Sequence, residues 1–134
     1  MKIEWIDLYN KSDNRGGLIV AEAQKNIPFD IKRVYCLYNL NKEPRGFHAH
    51  KELQQVVVCL AGSCKFLLDN GKEREIIDLN TKSEGLLVEK MIWREMFDFS
   101  SDCVLMVLAS EYYDERDYIR SYNNFLQLVQ KTNF

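Results

Sequence analysis

His48-Ala49-His50-Lys51-Glu52-Leu53-Gln54-Gln55-Val56-Val57-Val58-Cys59-Leu60-Ala61-Gly62 is the stretch whose reading decides the fold. Alternate residues of a strand share a face, so His48 and His50 point the same way on one. They are the only two histidines in the chain. Leu53 to Leu60 then forms a valine-rich run of strand length, and Ala61-Gly62 reads as a turn into the next run, Cys64 to Leu68. Working outward, Asp69-Asn70-Gly71-Lys72 carries a hairpin signal, because Asn-Gly accepts the positive φ values of a type I′ turn. Glu73 to Leu79, Gly85 to Val88, Ile92 to Phe99 and Cys103 to Ala109 continue the pattern downstream. Upstream lie Ile3 to Leu8, a loop at Lys11 to Gly17, Leu18 to Ala23, a turn at Asn26-Ile27-Pro28, and Ile31 to Tyr38. Short runs at this spacing, broken by glycine turns, predict a sandwich or barrel rather than βαβ units. From Asp114 to Gln130 the period changes: Tyr118, Tyr122, Phe125 and Val129 recur at helical spacing. This predicts a C-terminal helix that Asp114 caps and that packs on one sheet.

The 134 residues suit one domain, 1–134, with a core that needs no staples. With 46% hydrophobic and 28% charged residues, the composition excludes disordered and low-complexity classes. The longest strongly apolar run, Cys103 to Ala109, falls far short of the roughly 18 residues of a membrane span. The opening Met1 to Asn10 has acidic residues where a signal peptide needs an apolar stretch, so a cytoplasmic location is expected. A net charge of −2 argues against sequence-independent nucleic-acid binding. Cys36, Cys59, Cys64 and Cys103 form no CxxC pair and read as reduced, mostly buried thiols.

The stretch from His48 to Gly62, with its His-x-His pair, resembles the first motif of the cupin superfamily. Gln55 stands where metal cupins carry a glutamate, and Met96 falls where their second motif places a histidine. Two imidazoles and a neutral amide make a poor divalent-metal site, so no metal and no cofactor are expected. The histidines are then candidates for acid–base chemistry.

Further runs carry a closer resemblance. Lys32-Arg33-Val34-Tyr35, Arg45-Gly46-Phe47-His48-Ala49-His50-Lys51, Gln54-Gln55-Val56, Trp93-Arg94-Glu95-Met96, Leu108 to Asp114 and Asp117-Tyr118-Ile119-Arg120 look like the nucleotide-sugar 3,4-ketoisomerases. The similarity runs from about Arg15 to Val129; a relative's imidazole would be expected where this chain has Arg94. The resemblance implies an all-β cupin jelly roll, a double-stranded β-helix, here followed by the C-terminal helix. It also implies a homodimer with exchanged N-terminal strands. The expected substrate is a dTDP-linked 4-keto-6-deoxy sugar, with neither membrane nor nucleic acid as partner. The implied reaction moves the ketone from C4 to C3, on the route to 3-amino-3,6-dideoxy sugars of surface glycans.

That reaction needs a base for the proton on C3, a proton carrier for C4 and a donor for the enediolate oxygen. His48 and His50 are candidates for the first two, and Tyr35 for the third. Arg33 shares a strand face with Tyr35. Arg15, Arg33, Arg45 and Arg94 are candidates for the pyrophosphate, which suits a forked guanidinium. Gln55 and Gly16 complete the candidate binding set. The Arg15-Gly16 loop favours a galacto-configured product, because a glycine there leaves one face of the enediolate open. Arg74, Arg116 and Arg120 read as structural, with Asp117 a partner for Arg120. A metal-dependent cupin of dioxygenase type and a non-catalytic nucleotide-sugar-binding cupin stay open as alternatives.

Overall fold

The computed structural model describes residues 1–132. One five-stranded antiparallel sheet runs in the order β1 (Glu4–Asp7), β9 (Glu84–Val88), β6 (Gln55–Ala61), β11 (Val104–Ala109), β4 (Arg33–Leu37). The second runs β12 (Tyr118–Ile119), β5 (Arg45–His50), β10 (Trp93–Phe97), β7 (Cys64–Asp69), β8 (Arg74–Leu79). A separate hairpin pairs β2 (Lys11–Asp13) with β3 (Gly16–Leu18), and α1 (Tyr122–Thr132) ends the described chain. This is the jelly roll that the resemblance implies, with the C-terminal helix that the residue periodicity predicts.

Period-two alternation explains how the central strands are buried on both faces. On β6, Val57 and Cys59 point between the sheets, where they pack with Phe66, Leu68, Leu86, Leu105 and Val107. Val56 and Val58 point the other way, against Leu8, Ile27, Phe29, Leu87 and Leu108. The segment between β1 and β4 thus roofs the first sheet. A strand covered on both sides reads as a continuous apolar run, which is the pattern of β6. On the second sheet, Ala49 and Trp93 face outward into a cluster with Ile119, Phe125 and Val129 that α1 covers. His48, His50 and Arg94, one residue off in phase, therefore face the barrel interior.

Three local expectations are corrected. Helix α1 starts at Tyr122, not Asp114. Ser121 caps it, its hydroxyl accepting from Asn124 N at 3.2 Å. Asp114 instead caps a single 3₁₀ turn, Glu115–Asp117, and Tyr118 lies on β12 opposite His50. Lys11 to Gly17 is not a loop but most of the β2–β3 hairpin, and the run Leu18 to Ala23 leaves its strand at Leu18. At Asn70-Gly71, only Gly71 takes positive φ, at +93°. The turn is built by the Asn70 side chain, which accepts from Lys72 N and Glu73 N at 2.9 and 2.8 Å, so it is an Asx turn and not type I′.

The neighbouring Asp69 carboxylate is buried and fully engaged. It accepts from Gly71 N, Arg74 Nε and, at 2.6 Å, the Tyr122 hydroxyl, tying α1 to the β7–β8 turn. All four cysteines are free thiols. Cys36 is exposed on the outer face of β4, and burial holds the other three above their ordinary values, Cys59 at about 12. No described helix is long and apolar enough to cross a membrane.

Candidate active site

The core packing does not fill the barrel along its whole length. At one end the inward positions are Arg33 and Tyr35 on β4, Gln55 on β6, His48 and His50 on β5, Arg94 on β10 and Tyr118 on β12. An open cavity of about 510 Å³ enters there, lined by Arg33, Tyr35, Arg45, His48, Tyr118 and Arg120 among others.

Strand β5 reaches this position through a distorted start. Gly46 has φ +94° and Phe47 φ +58°, and the β5–β10 register shifts between Arg94 and Glu95. A Cβ at Gly46 would stand 2.9 Å from the Arg94 carbonyl oxygen, so the close approach of these strands requires glycine. The distortion brings the Gly46 carbonyl within 3.0 Å of His48 Nδ1. A carbonyl only accepts, so a neutral His48 carries its hydrogen on Nδ1 and presents a lone pair at Nε2.

His50 sits deeper. It is 1% exposed, outside the residues lining the cavity, with its ring 4.9 Å from that of His48 and 4.4 Å from that of Tyr118. Neither ring nitrogen has a hydrogen-bond partner among the described residues. The nearest carboxylate is Asp117, whose Oδ2 lies 3.3 Å from Nδ1 and which is itself pinned by Glu52 N and Leu53 N at 2.9 and 3.2 Å. Burial and then the Arg94 charge hold both imidazoles neutral, His48 down at about 4 and His50 at about 2.

Arg94 and Gln55, expected to bind substrate, do not line the cavity. Arg94 is buried, and among the described residues it forms no ion pair. Its Nη1 donates to Gln55 Oε1 and its Nη2 to the Ile92 carbonyl at 2.9 Å. Gln55 Nε2 in turn donates to the Tyr35 hydroxyl oxygen at 2.9 Å. Burial pulls Arg94 down to about 10, which leaves it a cation at neutral pH, and pushes the Tyr35 phenol up, which keeps it an O–H donor. The inward phase of β6 and β10 explains this placement: these side chains cross between the sheets behind the cavity wall.

The remaining arginines divide. Arg33 and Arg45 line the cavity as expected, and the Arg33 guanidinium lies 5.1 Å from the Tyr35 ring. Arg15 and Gly16 do not join them. They sit in the β2–β3 hairpin beside a different groove, and the Arg15 fork is held by Asp13 at 2.6 Å. Arg74 and Arg116 pair with Asp69 and Asp114, as structural residues should. Arg120 departs from that reading: it pairs with Glu115 rather than Asp117, and lies 4.3 Å over the Tyr118 ring at the cavity wall. Tyr118 and Arg120 line the cavity and Asp117 lies beside His50, and the sequence reading gave none of the three a place at the site. Their signal was present in Asp117-Tyr118-Ile119-Arg120, which matched the resembled family but was absorbed into the helix.

Among the described residues, no three His, Cys, Asp or Glu side chains are grouped to hold a metal ion. The arrangement offers one imidazole lone pair at a cavity wall, a phenol donor and guanidinium groups around the opening. That set can move protons on an anionic ligand.

Comparison with known proteins agrees. The family model described as FdtA: WxcM-like, C-terminal matches residues 1–130. A TDP-4-oxo-6-deoxy-alpha-D-glucose-3,4-oxoisomerase from Aneurinibacillus thermoaerophilus is 57% identical over 122 residues, 90% of this chain and 88% of its own. QdtA, a sugar 3,4-ketoisomerase from Thermoanaerobacterium thermosaccharolyticum solved with TDP, matches at 47% identity and TM-score 0.95, over 98% of this chain and 97% of its own. A His-to-Asn variant of that enzyme has been solved with TDP-4-keto-6-deoxyglucose. A 3,4-ketoisomerase from Helicobacter canadensis matches at 46% identity and TM-score 0.93, over 97% and 98% of the two chains. With the motifs, the jelly roll and the site agreeing, the chain belongs to the FdtA family of sugar 3,4-ketoisomerases.

Proposed function

We propose that this chain converts TDP-4-keto-6-deoxy-D-glucose to the 3-keto sugar, with His48 as the base that acts on carbon. The observation that carries the assignment is the Nδ1 contact to the Gly46 carbonyl, which leaves Nε2 of the cavity-lining imidazole unprotonated. The step balances without an electron acceptor. The C3–H bond breaks, its pair forms the C3–C4 double bond, and the carbonyl pair moves to O4. O4 then takes a proton and O3 gives one up as the C3 ketone forms, so that one proton passes from oxygen to oxygen, and the double-bond pair takes a proton at C4. Tyr35 donates to the developing oxyanion, and His50, whose ring lies 4.9 Å from that of His48, is the second proton carrier for the oxygens, with carbon left to His48. Arg33, Arg45 and Arg120 take the pyrophosphate and the opening of the site.

The product's configuration follows from faces. In the gluco substrate the hydrogen on C3 lies on one face of the ring. Return of a proton to C4 from that same face gives the galacto product, and delivery from the opposite face gives gluco. With one imidazole at the cavity wall, the galacto product is expected. It feeds a reaction that aminates a 3-keto sugar for surface glycans.

The functional unit is a homodimer with exchanged N-terminal strands. β4 is an edge strand, and its outward Val34 and the following Tyr38 are 54% and 68% exposed, which favours a covering partner. In this structure β1 pairs with β9 of its own chain. Exchange would carry the β2–β3 hairpin along with β1, and with it Arg15 and Gly16, to the other subunit. Light scattering should give about twice the 15.8 kDa chain mass; a mass near that of one chain would contradict the dimer. For the reaction, ¹³C NMR of TDP-4-keto-6-deoxyglucose incubated with the protein should show the ketone carbon move from C4 to C3. An unchanged substrate would overturn the assignment.

A further inference from the structure

Metal-free acid–base chemistry explains why a cavity holds histidine and tyrosine, but not why an arginine lies buried behind them. Arg94 is 2% exposed, carries no ion pair among the described residues, and leaves its Nε without a partner. Burying a cation this way is costly, and packing alone would be better served by an apolar side chain. What Arg94 does hold is Gln55, and Gln55 holds Tyr35.

The direction of these bonds matters. A guanidinium can only donate, so Arg94 Nη1 fixes the oxygen of the Gln55 amide toward itself. The amide nitrogen is then forced toward Tyr35, where it donates to the phenol oxygen. That oxygen keeps one hydrogen of its own. Its partner on the barrel side is a donor that cannot accept it, so the hydrogen is left for the cavity that Tyr35 lines. Each bond also polarises the next, and the chain begins at a charge in a water-poor interior.

We propose that Arg94 and Gln55 are positioning residues that act through Tyr35: their relay aims the phenol hydrogen into the cavity and strengthens it as the donor to the enediolate oxygen. The inference rests on the isomerase reading above and deepens it. It also gives a reason for an amide where metal cupins carry a carboxylate. A glutamate at 55 would accept from Arg94 and from Tyr35 alike, and so would turn the phenol hydrogen inward.

Gln55→Glu is therefore the test, because it keeps the size of the side chain and reverses one bond. The expected result is a kcat lower by about 10²- to 10³-fold, the scale of losing one oxyanion donor, with TDP affinity and KM within about threefold. Tyr35→Phe should show the same split. The double variant Gln55→Glu/Tyr35→Phe should be no slower than Tyr35→Phe, because both changes remove one donor. A near-normal kcat in Gln55→Glu, or a further loss in the double variant, would overturn the relay. The wild-type background supplies a check that does not depend on how Gln55→Glu folds. With 3-fluorotyrosine in place of Tyr35, the more acidic phenol should raise kcat on the chemical step, and an unchanged kcat would contradict the proposal. His48→Asn tests the isomerase reading separately, since it removes the base without touching the relay.

Discussion

The two ends of the barrel interior share the same strands and have opposite contents. On β6 the inward residues run Gln55, Val57, Cys59, and only the first is polar. At the apolar end, Phe66, Leu86 and Leu105 are sealed between the sheets and carry the stability of the fold. At the polar end, His48, His50, Arg94 and Gln55 are buried or nearly so, with both His50 ring nitrogens, Arg33 Nε and Arg94 Nε left without hydrogen bonds among the described residues. The difference teaches how this fold divides its work. One end is packed to hold the strands in register, and the other uses that rigidity to keep polar groups in places they would not choose.

If the division is real, substitutions at the two ends should fail in different ways. The largest effect is expected for His48→Asn: turnover falls by about 10²- to 10⁴-fold, the scale of general acid–base catalysis, while the melting temperature and TDP affinity hold. A variant with near-normal turnover would remove His48 from the mechanism. At the other end, Phe66→Ala should cost about 3–5 kcal/mol in denaturant titrations, with kcat within about twofold wherever the protein stays folded. A large loss of turnover without loss of stability there would erase the distinction.

Acid should sharpen the same contrast. The folded protein holds His48 down at about 4 and His50 at about 2, against an ordinary 6.5. Below pH 6.5 the unfolded chain takes up protons that the folded chain refuses. The contribution of these groups to stability is thus complete above pH 6.5 and is lost as the pH falls toward the folded values. The expected slope is about 1.4 kcal/mol per pH unit for each histidine, so denaturant titrations between pH 7 and 5 should lose stability progressively. His48→Asn should make that slope shallower; an unchanged slope would mean the imidazole is not held neutral. The smallest effect belongs to chelation: exhaustive EDTA treatment should leave turnover unchanged, and activity lost and then restored by one metal ion would contradict the acid–base account.

Much of this was legible in the residues. The apolar runs of β6, β7 and β11 announced strands because their period and length leave little choice, and His48-Ala49-His50 announced two imidazoles on one face. What stayed hidden depended on contacts that no local pattern encodes. Tyr118 stands four residues before Tyr122, so it fits a helical stripe, but its backbone pairs with His50 in β12. A strand of two residues has no period to recognise. Gln55 and Arg94 could be read as polar groups at a site, but not as residues turned toward Tyr35, because that depends on how far behind the cavity wall each strand places them. Arg15 and Gly16 lie in a hairpin whose distance from the cavity is set by the tertiary fold alone.

The account's central claim is that one imidazole, His48, acts on one face of the sugar. The H4–H5 coupling of the 3-keto product tests it most directly, because with the ketone at C3 the C4 hydrogen couples to H5 alone. A small coupling means that H4 is equatorial, the product is galacto, and the proton returned from the face it left. A large diaxial coupling would mean a gluco product protonated from the opposite face, and a single-imidazole mechanism would be contradicted.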